Sequence, residues 1–209
     1  MKILAIASAF PIFSCFVILS LLLMHNINRN TKKNKEINES FWEKERLANS
    51  TRRKSLDTVN YIVIPFKTLP MNTAVDDIDI SKYISIIEGL RDTPIANFTG
   101  ISNTDLKLQY GAPNINHLSD CDEAFLTLAR TLQDWAKRLH ELGFDSEALT
   151  VLEFALECRT DISSSYYLAA SLYSKCGKTD KIEELKAIAD TLNSAMKSSI
   201  LRTLNEMYP

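Results

Sequence analysis

Histidine and cysteine are the side chains of this 209-residue sequence that could act as nucleophiles, bases or metal ligands. The histidines are His25, His117 and His140, and their spacing is not typical of a catalytic site. His117 and Cys121 are four residues apart, but the residues between them read as a helix start, which argues against a nucleophile–base pair. The sequence has no Cys-x-x-Cys or His-x-x-x-His motif and only five glycines. We therefore expect no enzyme activity, no metal site and no cofactor.

A second group of side chains could contact a lipid surface. Trp42 is followed by Arg52, Arg53 and Lys54, and each cation near an anionic membrane contributes about 1 kcal/mol. The alternative is a solvated linker whose aromatic side chains dock on the folded domain. The sequence leaves both interpretations open.

The charge of the chain is divided between two regions. Residues 25–60 contain nine Lys and Arg against five acidic residues, whereas residues 61–209 contain 14 against 21. A nucleic-acid-binding protein carries its basic charge on the folded domain, so this division argues against that class.

Residues 3–24 are uncharged and mostly apolar. As a helix they would span roughly 33 Å, close to the thickness of the bilayer hydrocarbon core. A signal peptide is the alternative, but its apolar core is usually only about 7–15 residues long, and no Ala-x-Ala cleavage site follows this run. The sequence predicts an uncleaved transmembrane anchor at residues 1–24, and cleavage would instead give an exported domain.

Flanking cations predict the orientation of this anchor. Lys2 precedes it, whereas Arg29, Lys32, Lys33 and Lys35 follow it closely, and the positive-inside rule places such a flank in the cytoplasm. The three cysteines beyond the anchor are an odd number, which suits a reducing compartment. We expect a single-pass cell-membrane protein whose C-terminal domain faces the cytoplasm.

Hydrophobic periodicity beyond a basic juxtamembrane linker (25–60) predicts an all-α body. Residues 25–40 read as solvated linker, and residues 41–54 could form a short helix. The Pro65-containing segment 61–71 is predicted to be an extended arm or edge strand. A helix is expected near 80–91, where Ile80, Ile84 and Ile87 follow helical spacing, and another near 103–110, where residues 102–105 resemble a capping box that begins at Ser102. Further helices are expected near 120–142, 145–158, 163–175, 179–192 and 195–207.

The last third of the chain repeats itself at an offset of 34 residues. Gly143 and Gly177 each follow a helical run and suit the left-handed residue that ends a helix. The offset pairs apolar or small residues with one another: Leu132 with Tyr166, Trp135 with Ala169, Ala136 with Ala170, Leu139 with Tyr173, and Ala155 with Ala189. A period of 34 is typical of two-helix hairpins that bury their apolar faces by stacking.

Residues 129–194 resemble two tetratricopeptide repeats, 129–162 and 163–196, which together with a terminal helix form a domain 129–209. In the second copy Ile182 replaces the expected Ala, and Lys186 stands where an aromatic residue is usual. The resemblance implies a stack of antiparallel hairpins, capped by helix 195–207 at one end. Residues 61–128, the arm and short helices, would cover the other end.

In this repeat family the first helix of each hairpin lines a concave binding face. Helical spacing from Trp135 and Leu139 then predicts a binding groove whose residues are Arg130, Gln133, Lys137, His140, Tyr167, Ser171 and Ser174. The cations could clamp an acidic group of an extended peptide. The alternative is that these charges form an ordinary solvated helix face.

The wider sequence also resembles a group of uncharacterised small membrane-anchored proteins of low-GC Gram-positive bacteria. The resembling residues are 48–54 (ANSTRRK), 97–102 (NFTGIS), 106–111 (LKLQYG) and 151–154 (VLEF). We expect a membrane-tethered scaffold that binds a protein or peptide and could self-associate. The alternative is a lipid-surface or cell-envelope accessory protein that acts through its basic juxtamembrane linker (25–60), with the helical body as spacer or dimerisation unit.

Overall fold

The computed structural model describes the backbone of residues 2–208 and the side chains of residues 19–27, 29, 31, 35 and 37–208. It forms two compact units, Met1–Thr51 and Arg52–Pro209. The first unit is one helix, α1 (Lys2–Ser50). This helix runs through residues 25–40, which were predicted to be a linker, and the described side chains there are exposed. The backbone of residues 25–40 is therefore helical, and the side chains described there are solvated.

The membrane prediction falls largely on side chains that the structure does not describe. Residues 3–18 of the predicted anchor lie outside the described side chains. Within the part that is described, no helix is long and apolar enough to cross a membrane. The anchor stays a prediction.

The second unit begins with an extended arm. Tyr61 forms an isolated antiparallel bridge with Ala96, and the Ile62 N–H donates to the Ile95 carbonyl at 2.8 Å. Ile64 and Leu69 of the arm are buried in the main core. The segment is therefore an arm attached to the helical body, and no β-strand occurs among the residues the structure describes.

Helix α2 (Ile78–Gly89) begins at an N-cap aspartate. The Asp77 carboxylate accepts from the backbone N–H groups of Asp79 and Ile80, which otherwise have no partner in the first turn. Asp77 also pairs with Arg138, with 2.6 Å between Oδ2 and Nη2. The hydrogen bond from Arg138 is the main reason that the pKa of Asp77 is lowered. One carboxylate thus starts α2 and attaches it to a neighbouring helix.

Helix α3 (Asn103–Tyr110) has the predicted capping residue at its start, where Ser102 Oγ accepts from the Asp105 N–H. It ends at Gly111, whose φ is 95°. A Cβ at this position would lie 2.3 Å from the Arg52 carbonyl oxygen, so only glycine fits.

Helix α4 (Ile115–Glu141) starts five residues earlier than Asp120, the predicted start. A 3-10 turn, Ala112–Asn114, leads directly into it. Leu118 and Cys121 are both fully buried, in a small core formed with Val59, Ala96, Phe98 and two residues of α3. The first turns of α4 are thus held by tertiary packing, which the local sequence does not display.

Four further helices complete the body: α5 (Asp145–Glu157), α6 (Ser163–Lys175), α7 (Thr179–Asp190) and α8 (Lys197–Met207). They pack in chain order, α4 on α5, α5 on α6, α6 on α7, and α8 on both α6 and α7. Ile200 and Leu204 of α8 are buried, so this helix covers the apolar surface at the end of the chain. The described body is all-α, as predicted.

The 34-residue offset corresponds to equivalent positions in two helical hairpins, α4–α5 and α6–α7. All five predicted residue pairs are at most 4% exposed. Gly143 and Gly177 have φ values of 86° and 68°, and each follows the first helix of its hairpin. The pairing of small residues such as Ala136 and Ala170 lets the helix axes approach to about 8–10 Å.

Candidate protein-binding surfaces

The exposed cations of the predicted groove lie on α4. Arg130 and Lys137 are separated by two helical turns and are both exposed. Lys137 Nζ lies 3.9 Å from a Glu141 carboxylate oxygen, a weak surface ion pair. Both cations are available to a ligand from solution.

Two other predicted groove residues of α4 form internal contacts instead. Gln133 is 8% exposed, and the Ser165 hydroxyl donates to its Oε1 at 2.6 Å. His140 Nδ1 contacts the Asp145 carboxylate, and this hydrogen bond is the main cause of the lowered pKa of Asp145. Gln133 and His140 lie about 60° and 80° around the helix from Arg130, which turns them toward neighbouring helices. Gln133 therefore joins α4 to α6, and His140 supports the turn between α4 and α5.

The predicted groove residues of α6 reach solvent to different extents. Ser174 is exposed, whereas Ser171 and Tyr167 are half-buried. The Tyr167 hydroxyl donates to the Ser199 carbonyl at 3.5 Å, so part of its hydrogen-bonding capacity is used in attaching α8. We use "the α4/α6 face" for the residues that remain accessible: Arg130, Lys137, Tyr167, Ser171 and Ser174.

The predicted lipid-surface residues are divided between the two units. Trp42, in α1, is 66% exposed and packs edge-on against Phe41. Arg52 and Arg53, at the start of the second unit, are exposed. Lys54 differs, because its Nζ donates to the Leu108 carbonyl near the end of α3 at 2.7 Å. A cation at a helix C-terminus is favourable, so Lys54 has a structural role.

His117 and Cys121, for which the sequence argues against a nucleophile–base pair, lie next to each other in the structure. Both lie on α4 because the helix begins at Ile115, and Cys121 Sγ is 3.7 Å from His117 Nε2. The Tyr61 hydroxyl lies 3.4 Å from the same nitrogen. Cys121 is fully buried, and this burial is the main cause of its raised pKa. A buried, protonated thiol is a poor nucleophile. No cluster of three metal-ligating side chains occurs among the described residues.

A polar cleft between the arm and the ends of α5 and α7 has a cavity of about 250 Å³. Several of its polar side chains form hydrogen bonds within the protein. The Asn97 amide donates to the carbonyls of Cys158 and Arg159, both at 3.0 Å, and the Arg159 guanidinium donates to Thr191 Oγ1 at 3.1 Å. These contacts hold the arm-side loop to the C-terminal ends of the helices, a structural role that sequence reasoning missed.

The fold and its surfaces define an all-α protein with two consecutive helical hairpins and an accessible α4/α6 face. No protein-family model matches the sequence, and comparisons with curated proteins and with solved structures give no match either.

Proposed function

We propose that the chain is a membrane-tethered adaptor that binds a protein segment carrying an acidic group on the α4/α6 face. The observation that carries the proposal is the exposed pair Arg130 and Lys137 on α4, together with the small hydroxyl side chains of Ser171 and Ser174 on α6, which are half-buried and exposed, respectively. Arg and Lys bind carboxylates through charge-assisted hydrogen bonds, and small neighbours leave room for an extended backbone. The 34-residue repeat supports this reading because stacked hairpins are commonly binding scaffolds.

The tether is proposed from the uncharged run 3–24 and the cations that follow it. Leu21, Leu22, Leu23 and Met24 are each more than half exposed, so a lipid environment would cover apolar area that otherwise faces water. With cations on the C-terminal side, the body would face the cytoplasm.

The test is crosslinking capture from membranes with the tagged full-length chain and the Arg130→Glu/Lys137→Glu variant. We expect one captured protein to disappear from the variant while membrane association stays unchanged. Lys67→Glu/Lys82→Glu is the matched control, because it makes the same charge change at exposed positions outside the α4/α6 face. An unchanged capture list, or equal loss in the control, would contradict the proposal.

A second candidate function is recognition of an anionic lipid surface by the basic juxtamembrane linker (25–60). It is favoured by the exposed Trp42, whose neighbour Phe41 is 52% exposed, and by the exposed Arg52 and Arg53. In this case Arg52→Gln/Arg53→Gln would reduce binding to vesicles containing phosphatidylserine. The Arg130 and Lys137 substitutions would leave that binding unchanged.

A further inference from the structure

A groove lies between α5 and α7, formed by residues other than those of the α4/α6 face. It consists of two adjoining cavities of about 280 and 390 Å³ that share Leu156, Glu157 and Ile188. We call it the α5/α7 groove, and its residues are Glu153, Leu156, Glu157, Arg159, Tyr173, Lys181, Glu184, Leu185, Ala187, Ile188 and Thr191.

The floor of the α5/α7 groove is apolar. Leu156 and Leu185 are 3% and 2% exposed, and the half-buried Ile188 lies beside them. Ala187 is exposed and short, which leaves open space along this side of α7. An apolar floor with polar groups at its edge is the usual composition of a ligand site.

The edge of the first cavity is acidic. Glu153, Glu157 and Glu184 are exposed carboxylates at its edge, and Lys181 is its one cation. Lys181 pairs with Glu184 at 2.7 Å, and the guanidinium of Arg159, in the second cavity, donates to Thr191 Oγ1. Glu153 and Glu157 therefore form no salt bridge with a described residue. Three acids against one base give this edge a negative potential, which attracts cationic groups and repels phosphates.

One of these carboxylates is held in place by a tyrosine. The Tyr173 hydroxyl donates to Glu153 Oε1 at 2.9 Å. Burial raises the pKa of Tyr173, and the neighbouring Glu153 raises it further, so the hydroxyl stays protonated and continues to donate. Because this bond uses one oxygen, the other can accept from a ligand. Glu153 is thus positioned before a ligand arrives.

We propose that the α5/α7 groove binds a basic segment of a partner protein. An apolar side chain of that segment lies on Leu156, Leu185 and Ile188. Flanking Lys or Arg side chains pair with Glu153, Glu157 and Glu184. The α4/α6 face has the opposite preference, for an acidic group, so the two surfaces bind different segments and the proposals stand independently.

The test measures the binding of a fluorescein-labelled 12-residue peptide, two repeats of Leu-Lys-Lys-Leu-Leu-Lys, to the full-length protein by fluorescence anisotropy at physiological salt. Glu153→Gln/Glu157→Gln/Glu184→Gln keeps the side-chain shapes, and the amide oxygen introduced by Glu153→Gln can still accept from Tyr173. We expect this variant to bind about tenfold more weakly, since each exposed ion pair changes affinity by up to about fivefold. The peptide with Glu in place of Lys should not bind the groove.

The matched control is Glu123→Gln/Asp134→Asn/Glu206→Gln, which removes three exposed carboxylates on α4 and α8. It should bind the basic peptide within about twofold of the wild type.

Ile188→Ser should weaken binding about fivefold even at high salt, because it removes apolar contact rather than charge. Equal weakening in the groove variant and the control would overturn the proposal, as would no weakening in the groove variant. Circular dichroism of each variant confirms that the fold is retained. Either of the two overturning results would leave the proposal for the α4/α6 face unaffected, because that proposal is tested separately by crosslinking capture.

Discussion

The two hairpins share a turn and a set of crossing positions but differ in how deeply their second helices are buried. Helix α5 buries seven of its thirteen residues, whereas α7 buries three of its twelve, Ile182, Leu185 and Ala189. The remaining residues of α7 are mainly charged or partly exposed. The repeat period therefore sets where the helices meet, and the residues between those positions set how much each helix contributes to the core. The α5/α7 groove lies along α7, which contributes less to the core than α5 does.

The largest expected effect of this difference is on core stability. Leu152 of α5 is fully buried and Leu185 of α7 is 2% exposed. We expect Leu152→Ala to lower the free energy of unfolding by about 3–5 kcal/mol and Leu185→Ala by about 2–3 kcal/mol, because the groove lets the surroundings of Leu185 relax. Urea denaturation followed by circular dichroism measures both. A larger loss of stability for Leu185→Ala than for Leu152→Ala would contradict the conclusion that α5 contributes more to the core than α7.

The turn should behave alike in both hairpins. Gly143 and Gly177 have positive φ, and a Cβ at either would meet no atom within 4 Å, so the cost of alanine lies in the backbone. We expect Gly143→Ala and Gly177→Ala each to cost about 1 kcal/mol in urea denaturation. Gly89→Ala in α2 is the control, because Gly89 is helical and has equal space. It should stabilise by up to about 1 kcal/mol. Unequal costs at the two turns would show that the hairpins do not share this feature.

The two hairpins should also differ, by a smaller amount, in how their stability depends on acid pH. His140 and Lys175 hold the pKa of Asp145 below its ordinary value, the hydrogen bond from His140 being the larger cause. The equivalent position in the second hairpin is Thr179, which has no carboxylate. A lowered carboxyl pKa stabilises the fold above the ordinary value of about 4, and this stabilisation is lost as the pH falls through the lowered value.

Asp145→Asn should therefore reduce the change in the free energy of unfolding that the wild type shows between pH 2 and pH 6. Asp180→Asn, in the first turn of α7, is the matched control, and its free energy of unfolding should follow the same pH dependence as that of the wild type. The interpretation of the His140–Asp145 contact fails if both variants follow the wild-type curve.

Local signals were sufficient to predict most of the helical body. The glycine at each hairpin turn, the Ser102 cap of α3 and the apolar spacing of Ile80, Ile84 and Ile87 all act within one or two turns of helix. The structure agrees at each of these positions. The early start of α4 was missed because Leu118 is buried against Val59, Phe98 and α3, which come from elsewhere in the chain.

The exposure of the predicted groove residues was less predictable for the same reason. Gln133 is held by Ser165, which is 32 residues away, and Lys54 by the Leu108 carbonyl, which is 54 residues away. Helical phase alone places Gln133 near the edge of the exposed face, and only the packing of α6 shows that it is covered. The exposure of Arg130 and Lys137 was predictable because they lie near the centre of that face, away from the neighbouring helices.

The central claim is that the α4/α6 face is where the tethered chain meets its partner, and site-specific photocrosslinking tests it most directly. A benzoylphenylalanine replaces Ser174 on α6 in the full-length protein, and in a control it replaces the equally exposed Ser85 on α2. Irradiation of intact cells should give a discrete adduct from position 174 and none from position 85. Adducts of the same pattern from both positions, or from position 85 alone, would contradict the claim.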